Sequence, residues 1–98
     1  MQPETKFKTK VLNKLKSLDK TFVIKVQQKT ICGTPDIIIC CNGLFVAWEL
    51  KVKDNKASPL QQYNLNCITN AGGMARVVTP ETLEENYKEL LYVISNKK

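Results

Sequence analysis

Histidine is absent from this 98-residue sequence, arginine occurs only at Arg76, and no apolar run is long. Without histidine, and with no CxxC pair among Cys32, Cys40, Cys41 and Cys67, the usual zinc-ligand spacings are missing. Cys40 and Cys41 are neighbours, and adjacent strand side chains leave on opposite faces, which speaks against a shared metal or disulfide site. Reduced, mostly buried thiols are therefore expected, as in a reducing compartment. No stretch approaches the ~20 apolar residues of a membrane span, and the polar, lysine-bearing start is unlike a secretory signal. The chain reads as cytoplasmic, a viral protein at work inside a host cell being one source that fits. Repeats, linkers and low-complexity segments are also lacking, so residues 1–98 read as a single domain with a modest core. One arginine leaves little capacity for bidentate reading of guanine edges.

Lysine is what the chain has in quantity. Fifteen basic residues against nine acidic ones give a net charge of +6. Lysines neutralise phosphates without reading sequence, so the balance suits a polyanion; a lysine-rich face also serves solubility, and composition alone leaves both readings open.

The most informative stretch is Gly33 to Lys51, GTPDIIICCNGLFVAWELK. Asn42-Gly43 between two apolar, β-branched runs predicts a hairpin with a two-residue type I′ turn. That turn places Cys41 opposite Leu44 and, stepping outward, Asp36 opposite Glu49. Like charges so paired are destabilising. Lys51 shares the face of Glu49, because side chains alternate along a strand. Ile37, Ile39, Val46, Trp48 and Leu50 make the other face apolar. The acidic face also carries Ile38, Cys40, Phe45 and Ala47, which predicts a sheet covered on both sides with the two acids near one end. A divalent cation with oxygen ligands would relieve that repulsion.

Around this hairpin the order of elements reads αβββαβα. Phe7, Val11, Leu12, Leu15 and Leu18 recur at helical spacing over residues 4–19, with lysines filling much of the rest. Glu4 lies near the inward stripe; it suits the helix dipole in a first turn and equally a place in the site. Thr21–Val26 is rich in β-branched residues and predicts the first strand. Pro35 belongs at a strand entrance, where it owes no ladder hydrogen bond, and puts Asp36 at the first strand position. Ser58-Pro59-Leu60-Gln61 predicts a helix start with a capping box, and Leu60, Asn64, Cys67, Ile68 and Ala71 its buried stripe. Gln61 is either the capping partner of Ser58 or a side chain aimed at the site. Met74–Val78 predicts a fourth strand, and Leu83, Tyr87, Leu90, Leu91 and Ile94 a last helix.

Gly33-x-Pro35-Asp36, Glu49-x-Lys51 and Ser58-Pro59-x-Gln61 together resemble the PD-(D/E)XK nucleases, and within them the small VRR-NUC group, over roughly residues 4 to 80. The resemblance implies a restriction-endonuclease-like αβββαβ core, an α/β fold with a mixed four-stranded sheet flanked by helices. It implies a Mg2+- or Mn2+-dependent endonuclease that hydrolyses DNA phosphodiesters. Asp36, Glu49 and the backbone carbonyl of Leu50 would be metal ligands, and Lys51 would orient the attacking water. Glu4 and Gln61 match the first-helix acid and the helix glutamine of relatives, with Gln62 as an alternative register for the latter. Lys8, Lys53 and Lys56 are expected to contact nucleic acid. Stand-alone members of the group look like homodimers that resolve four-way junctions, so a Holliday junction or other branched DNA is the expected substrate. The last helix and the outer face of the first are candidate dimer surfaces. The alternatives are a noncatalytic nucleic-acid-binding module that keeps the nuclease fold and an interaction subunit; the intact acid, acid, lysine set speaks against both.

Overall fold

The computed structural model describes residues 3–27, 33–53 and 55–96. Helix α1 (Pro3–Lys16) is followed by β1 (Thr21–Lys25), β2 (Ile37–Cys41), β3 (Leu44–Leu50), α2 (Pro59–Asn70), β4 (Met74–Val78) and α3 (Leu83–Asn96). The four strands form one sheet in the order β1-β2-β3-β4. β1, β2 and β3 pair antiparallel, whereas β3 and β4 run parallel, with α2 as the crossover between them. This is the mixed α/β sheet expected from the element order.

The turn governs the register. Asn42 and Gly43 both take positive φ, 50° and 90°, as a type I′ turn requires. β2 and β3 then pair Cys41 with Leu44 through Ile37 with Trp48. The Asn42 amide group donates to the carbonyls of Val93 and Ile94, 3.3 Å each, and its backbone N–H donates to Lys20. The turn is thereby tied to α3 and to the start of β1.

One face of the sheet carries the core. Ile37, Ile39, Val46 and Trp48 are fully buried there beneath Phe7, Val11 and Leu15 of α1 and Leu83 and Leu90 of α3. The opposite face is only partly covered, contrary to the sequence expectation. α2 packs on β4 and β3, leaving Phe22 and Phe45 exposed at 67% and 49%. A single helix has the width of about two strands at their 4.7–4.9 Å spacing, so it cannot roof all four.

The buried stripe of α2 also agrees only in part with the expected one. Leu65 is its buried residue, flanked by half-buried Gln61, Asn64 and Ile68, whereas Leu60, Cys67 and Ala71 are exposed. Asn64 and Ile68 thus face inward as expected, while phasing on Leu60 turned the rest of the stripe toward Cys67 and Ala71 and away from Gln61 and Leu65. In α3 the same kind of error is smaller: Leu91 is exposed and Val93 packs on the core in its place.

The thiols divide differently from expectation as well. Cys41 is buried while Cys40 and Cys67 are exposed, all three unbridged; Cys32 lies outside the described residues. Burial pushes the Cys41 thiol above its ordinary pKa, partly offset by a hydrogen bond from Thr21. Alkylation with iodoacetamide at pH 8 should modify Cys40 and Cys67 promptly and Cys41 only after denaturation, since the thiolate is the reactive form. Peptide mapping by mass spectrometry reads this directly, and rapid native labelling of Cys41 would contradict the packing.

Candidate active site

Asp36 sits at a bend immediately before β2. Pro35, buried at the strand entrance, contributes no donor there. The Asp36 carbonyl accepts the N–H of Val26 at 2.9 Å, extending the contact with β1 by one step. Toward β3 the ladder stops at Ile37 and Trp48, and the Asp36 side chain takes over: its Oδ2 accepts the backbone N–H of Leu50 at 2.9 Å. Asp36 thus lies just outside the strand rather than as its first residue, and faces β3 through its carboxylate. Its Oδ1 lies 3.9 Å from Nζ of Lys8 on α1.

Glu49 is on β3, 2% exposed, on the side covered by α2. A carboxylate so placed is costly unless it is paired and hydrogen-bonded. Its Oε2 accepts a hydrogen bond from Gln61 Nε2 at 2.9 Å and lies 3.4 Å from Lys51 Nζ. Lys51 follows the end of β3, where its backbone N–H donates to Val78 at 3.0 Å.

Gln61 performs both tasks that the sequence left as alternatives. Its Oε1 accepts the N–H of Ser58 at 2.8 Å, and the Ser58 hydroxyl accepts the N–H of Gln61, completing a capping box at the start of α2. Its amide nitrogen remains available for Glu49. The cap that starts the helix therefore also holds the glutamine in one rotamer against the buried acid. Gln62 turns away, donating to Asn66 at 3.0 Å on the outer face of α2.

Gly33 lets α2 pack closely on the segment that leads into Asp36. Its φ is +82°, and a Cβ there would lie 2.7 Å from Asn64 Nδ2 and 3.1 Å from the Leu60 backbone carbonyl carbon. Only glycine permits this approach without displacing the helix.

On the α1 side of Asp36 lies a cavity of about 220 Å³, lined by Glu4, Thr5, Lys8, Thr9, Lys25 and Asp36 among others. Glu4 is exposed on α1 and lines this cavity together with Asp36. Lys53 and Lys56 are exposed in the segment between β3 and α2, Lys53 with a positive φ of 57°. Lys25 was not singled out by sequence reasoning. Its signal was its place as the final residue of β1, but no sequence pattern shows which residue that strand end will face.

Oxygen donors dominate the assembly, as a hard divalent cation requires. Among the described residues no three or more His, Cys, Asp or Glu side chains cluster as a closed metal cage. Two carboxylates flanking a main-chain segment instead suit an ion such as Mg2+, which keeps several waters and takes phosphate oxygens from its substrate.

No family model matches this sequence, nor does any curated protein. A solved structure described as a "VRR_NUC domain" superposes on it with a TM-score of 0.70, covering 100% of both chains at 18% identity. The fold is that of a VRR_NUC domain. In this fold Lys8 of α1 lies beside Asp36, and Gln61 at the start of α2 reaches Glu49. Among the described residues no helix is long and apolar enough to cross a membrane.

Proposed function

We propose that this VRR_NUC-fold chain is a divalent-cation-dependent endonuclease acting on DNA. What supports the reading is the pairing of buried Glu49 with Lys51 and Gln61 next to Leu50, whose backbone N–H the Asp36 carboxylate accepts. Asp36, Glu49 and the main-chain carbonyl of Leu50 would hold Mg2+ or Mn2+. Such an ion lowers the pKa of a bound water from 15.7 toward neutrality and offsets charge on the phosphate. Lys51, held against Glu49, positions the attacking water and stabilises the negative charge that develops on the phosphoryl oxygens. Gln61 keeps Glu49 in place, and Glu4 faces the same cavity as Asp36. Lys8, Lys53 and Lys56 draw the DNA backbone to this end of the sheet.

DNA shape is favoured over sequence as the recognised feature. The lone arginine, Arg76, is engaged in a two-pronged pair with Glu89, at 3.0 and 2.8 Å, which occupies the guanidinium fork that would read guanine. Symmetric cutting of a four-way junction needs two sites, which a two-fold homodimer provides. The surface best suited to that contact is the uncovered half of the sheet, where Phe22, Ile24 and Phe45 are exposed and the register brings Ile38 and Cys40 between them. This differs from the helical surfaces that the sequence offered.

The test is cleavage of synthetic duplexes, flaps and four-way junctions with Mg2+ or Mn2+, set against EDTA, together with sedimentation of wild type and Phe22→Glu. Metal-dependent cutting with preference for the junction, and a dimer lost in Phe22→Glu, are expected. Cleavage in EDTA would sink the mechanism, equal cutting of all substrates the junction preference, and a monomeric wild type the dimer. Salt-sensitive DNA binding without any cleavage would instead identify a noncatalytic module.

A further inference from the structure

The cavity beside Asp36 holds a cation that the proposed chemistry does not use. Lys25 ends β1, pairs with Ile37 and is followed by Val26, whose N–H donates to the Asp36 carbonyl. Two successive backbone contacts therefore hold it beside Asp36. By strand alternation it shares the side of Thr21 and Val23, which α1 covers, whereas Phe22 and Ile24 point to the open face. Its side chain joins that of Lys8 in the cavity wall, with the hydroxyls of Thr5 and Thr9 nearby. Lys25 has no ion-pair partner among the described residues, and Lys8 reaches Asp36 only at 3.9 Å. At about 220 Å³ the space far exceeds the ~10–15 Å³ needed by one water.

We propose that Lys25 and Lys8 form a phosphate subsite on the α1 side of Asp36, which holds a nonscissile backbone phosphate of the bound strand. This rests on the nuclease reading, which puts the reacting phosphate at Asp36. The charge balance favours an anion. Among the described residues, the ammoniums of Lys8 and Lys25 line the cavity with the carboxylates of Glu4 and Asp36, so a divalent cation held by Asp36 tips the balance toward positive charge that a phosphodiester neutralises. The hydroxyls supply neutral donors to the same oxygens. Lys51 and Gln61 are already committed to Glu49, so Lys25, with Lys8 beside it, is the cation that the α1 side of Asp36 offers to the strand's next phosphate. A lysine on an edge strand can also serve merely to block strand addition. That role requires neither the cavity nor Lys8.

Binding of a labelled four-way junction, titrated in EDTA between about 50 and 200 mM KCl, separates these roles. Lys25→Gln should reduce the salt slope by about one and weaken binding roughly five-fold at the upper salt, with Lys25→Arg restoring both. Lys16→Gln, at the far end of α1, should move neither. In cleavage kinetics the Lys25→Gln loss should fall on KM rather than kcat, as for contacts equally strong in ground and transition states. An unchanged salt slope in Lys25→Gln overturns the subsite, whatever happens to its melting temperature. Should Lys25 control the slope while wild type cleaves nothing, the subsite stands and the nuclease reading falls. Should wild type cleave and Lys25→Gln match it in slope and KM, the reverse holds. A wild type that fails to bind DNA overturns both.

Discussion

Asp36→Asn should reduce cleavage by at least about 10³-fold, the scale set by losing a central electrostatic element of a hydrolytic site. Asparagine keeps the size of the side chain, and its amide oxygen can still accept the Leu50 N–H that the carboxylate now accepts at 2.9 Å. The fold should survive while the negative charge is lost. Glu49→Gln should behave alike, although its neighbours make it less neutral. Gln61 and Lys51 both address Glu49 Oε2, so an uncharged partner leaves the Lys51 ammonium without its counter-charge. Gln61→Ala should fall between these variants and wild type, with a loss of about 10- to 100-fold typical of residues that orient a ligand, and a somewhat weakened start to α2 because the capping box goes with it. Initial rates with Mn2+, alongside calorimetric Mn2+ affinity, check all three. Wild-type rates and unchanged Mn2+ affinity in Asp36→Asn would refute the assignment.

Trp48→Ala should destabilise the protein more than any single surface change, by about 3–5 kcal/mol. Trp48 is the largest fully buried side chain and sits on β3 beneath the helices α1 and α3. Total stabilities of domains are about 5–15 kcal/mol, and each kcal/mol is worth about 4–8 °C at this size. The variant should therefore melt tens of degrees lower or fail to fold. Trp48→Phe should cost much less. It leaves a smaller cavity, and it removes a buried indole N–H that has no hydrogen-bond partner among the described residues, a group whose burial is itself unfavourable. Far-UV circular dichroism is the appropriate probe, because both variants lose the only tryptophan. A Trp48→Ala protein within 1 kcal/mol of wild type would mean that the core is not organised around this ring.

Where local chemistry dictates the outcome, the sequence was legible. Asn42-Gly43 can adopt two positive φ values, so it dictated the turn, and the turn dictated which residues of β2 and β3 face one another. Ser58, Pro59 and Gln61 marked the start of α2 because a helix end must satisfy its own free N–H groups within a few residues. Pro35 marked the strand entrance for the complementary reason that it brings no N–H. Stripes were less legible. The periodicity of α2 is compatible with burying Leu60 or Leu65, and the helix settles the matter only by docking on β3 and β4, with Gly33 yielding room at Leu60 and Asn64.

The amino-acid sequence by itself thus determined the hairpin register, the helix caps, and the nearness of Asp36, Glu49 and Lys51, all of which follow from backbone geometry over short spans. Tertiary structure decided what surrounds them: that Asp36 caps the ladder through Leu50, that Gln61 serves the helix and Glu49 at once, that Lys25 and Lys8 share one cavity, and that half of the sheet stays open. Those facts depend on distances between segments far apart in the chain. Such distances are set by the packing of whole helices on the sheet, which no local pattern encodes.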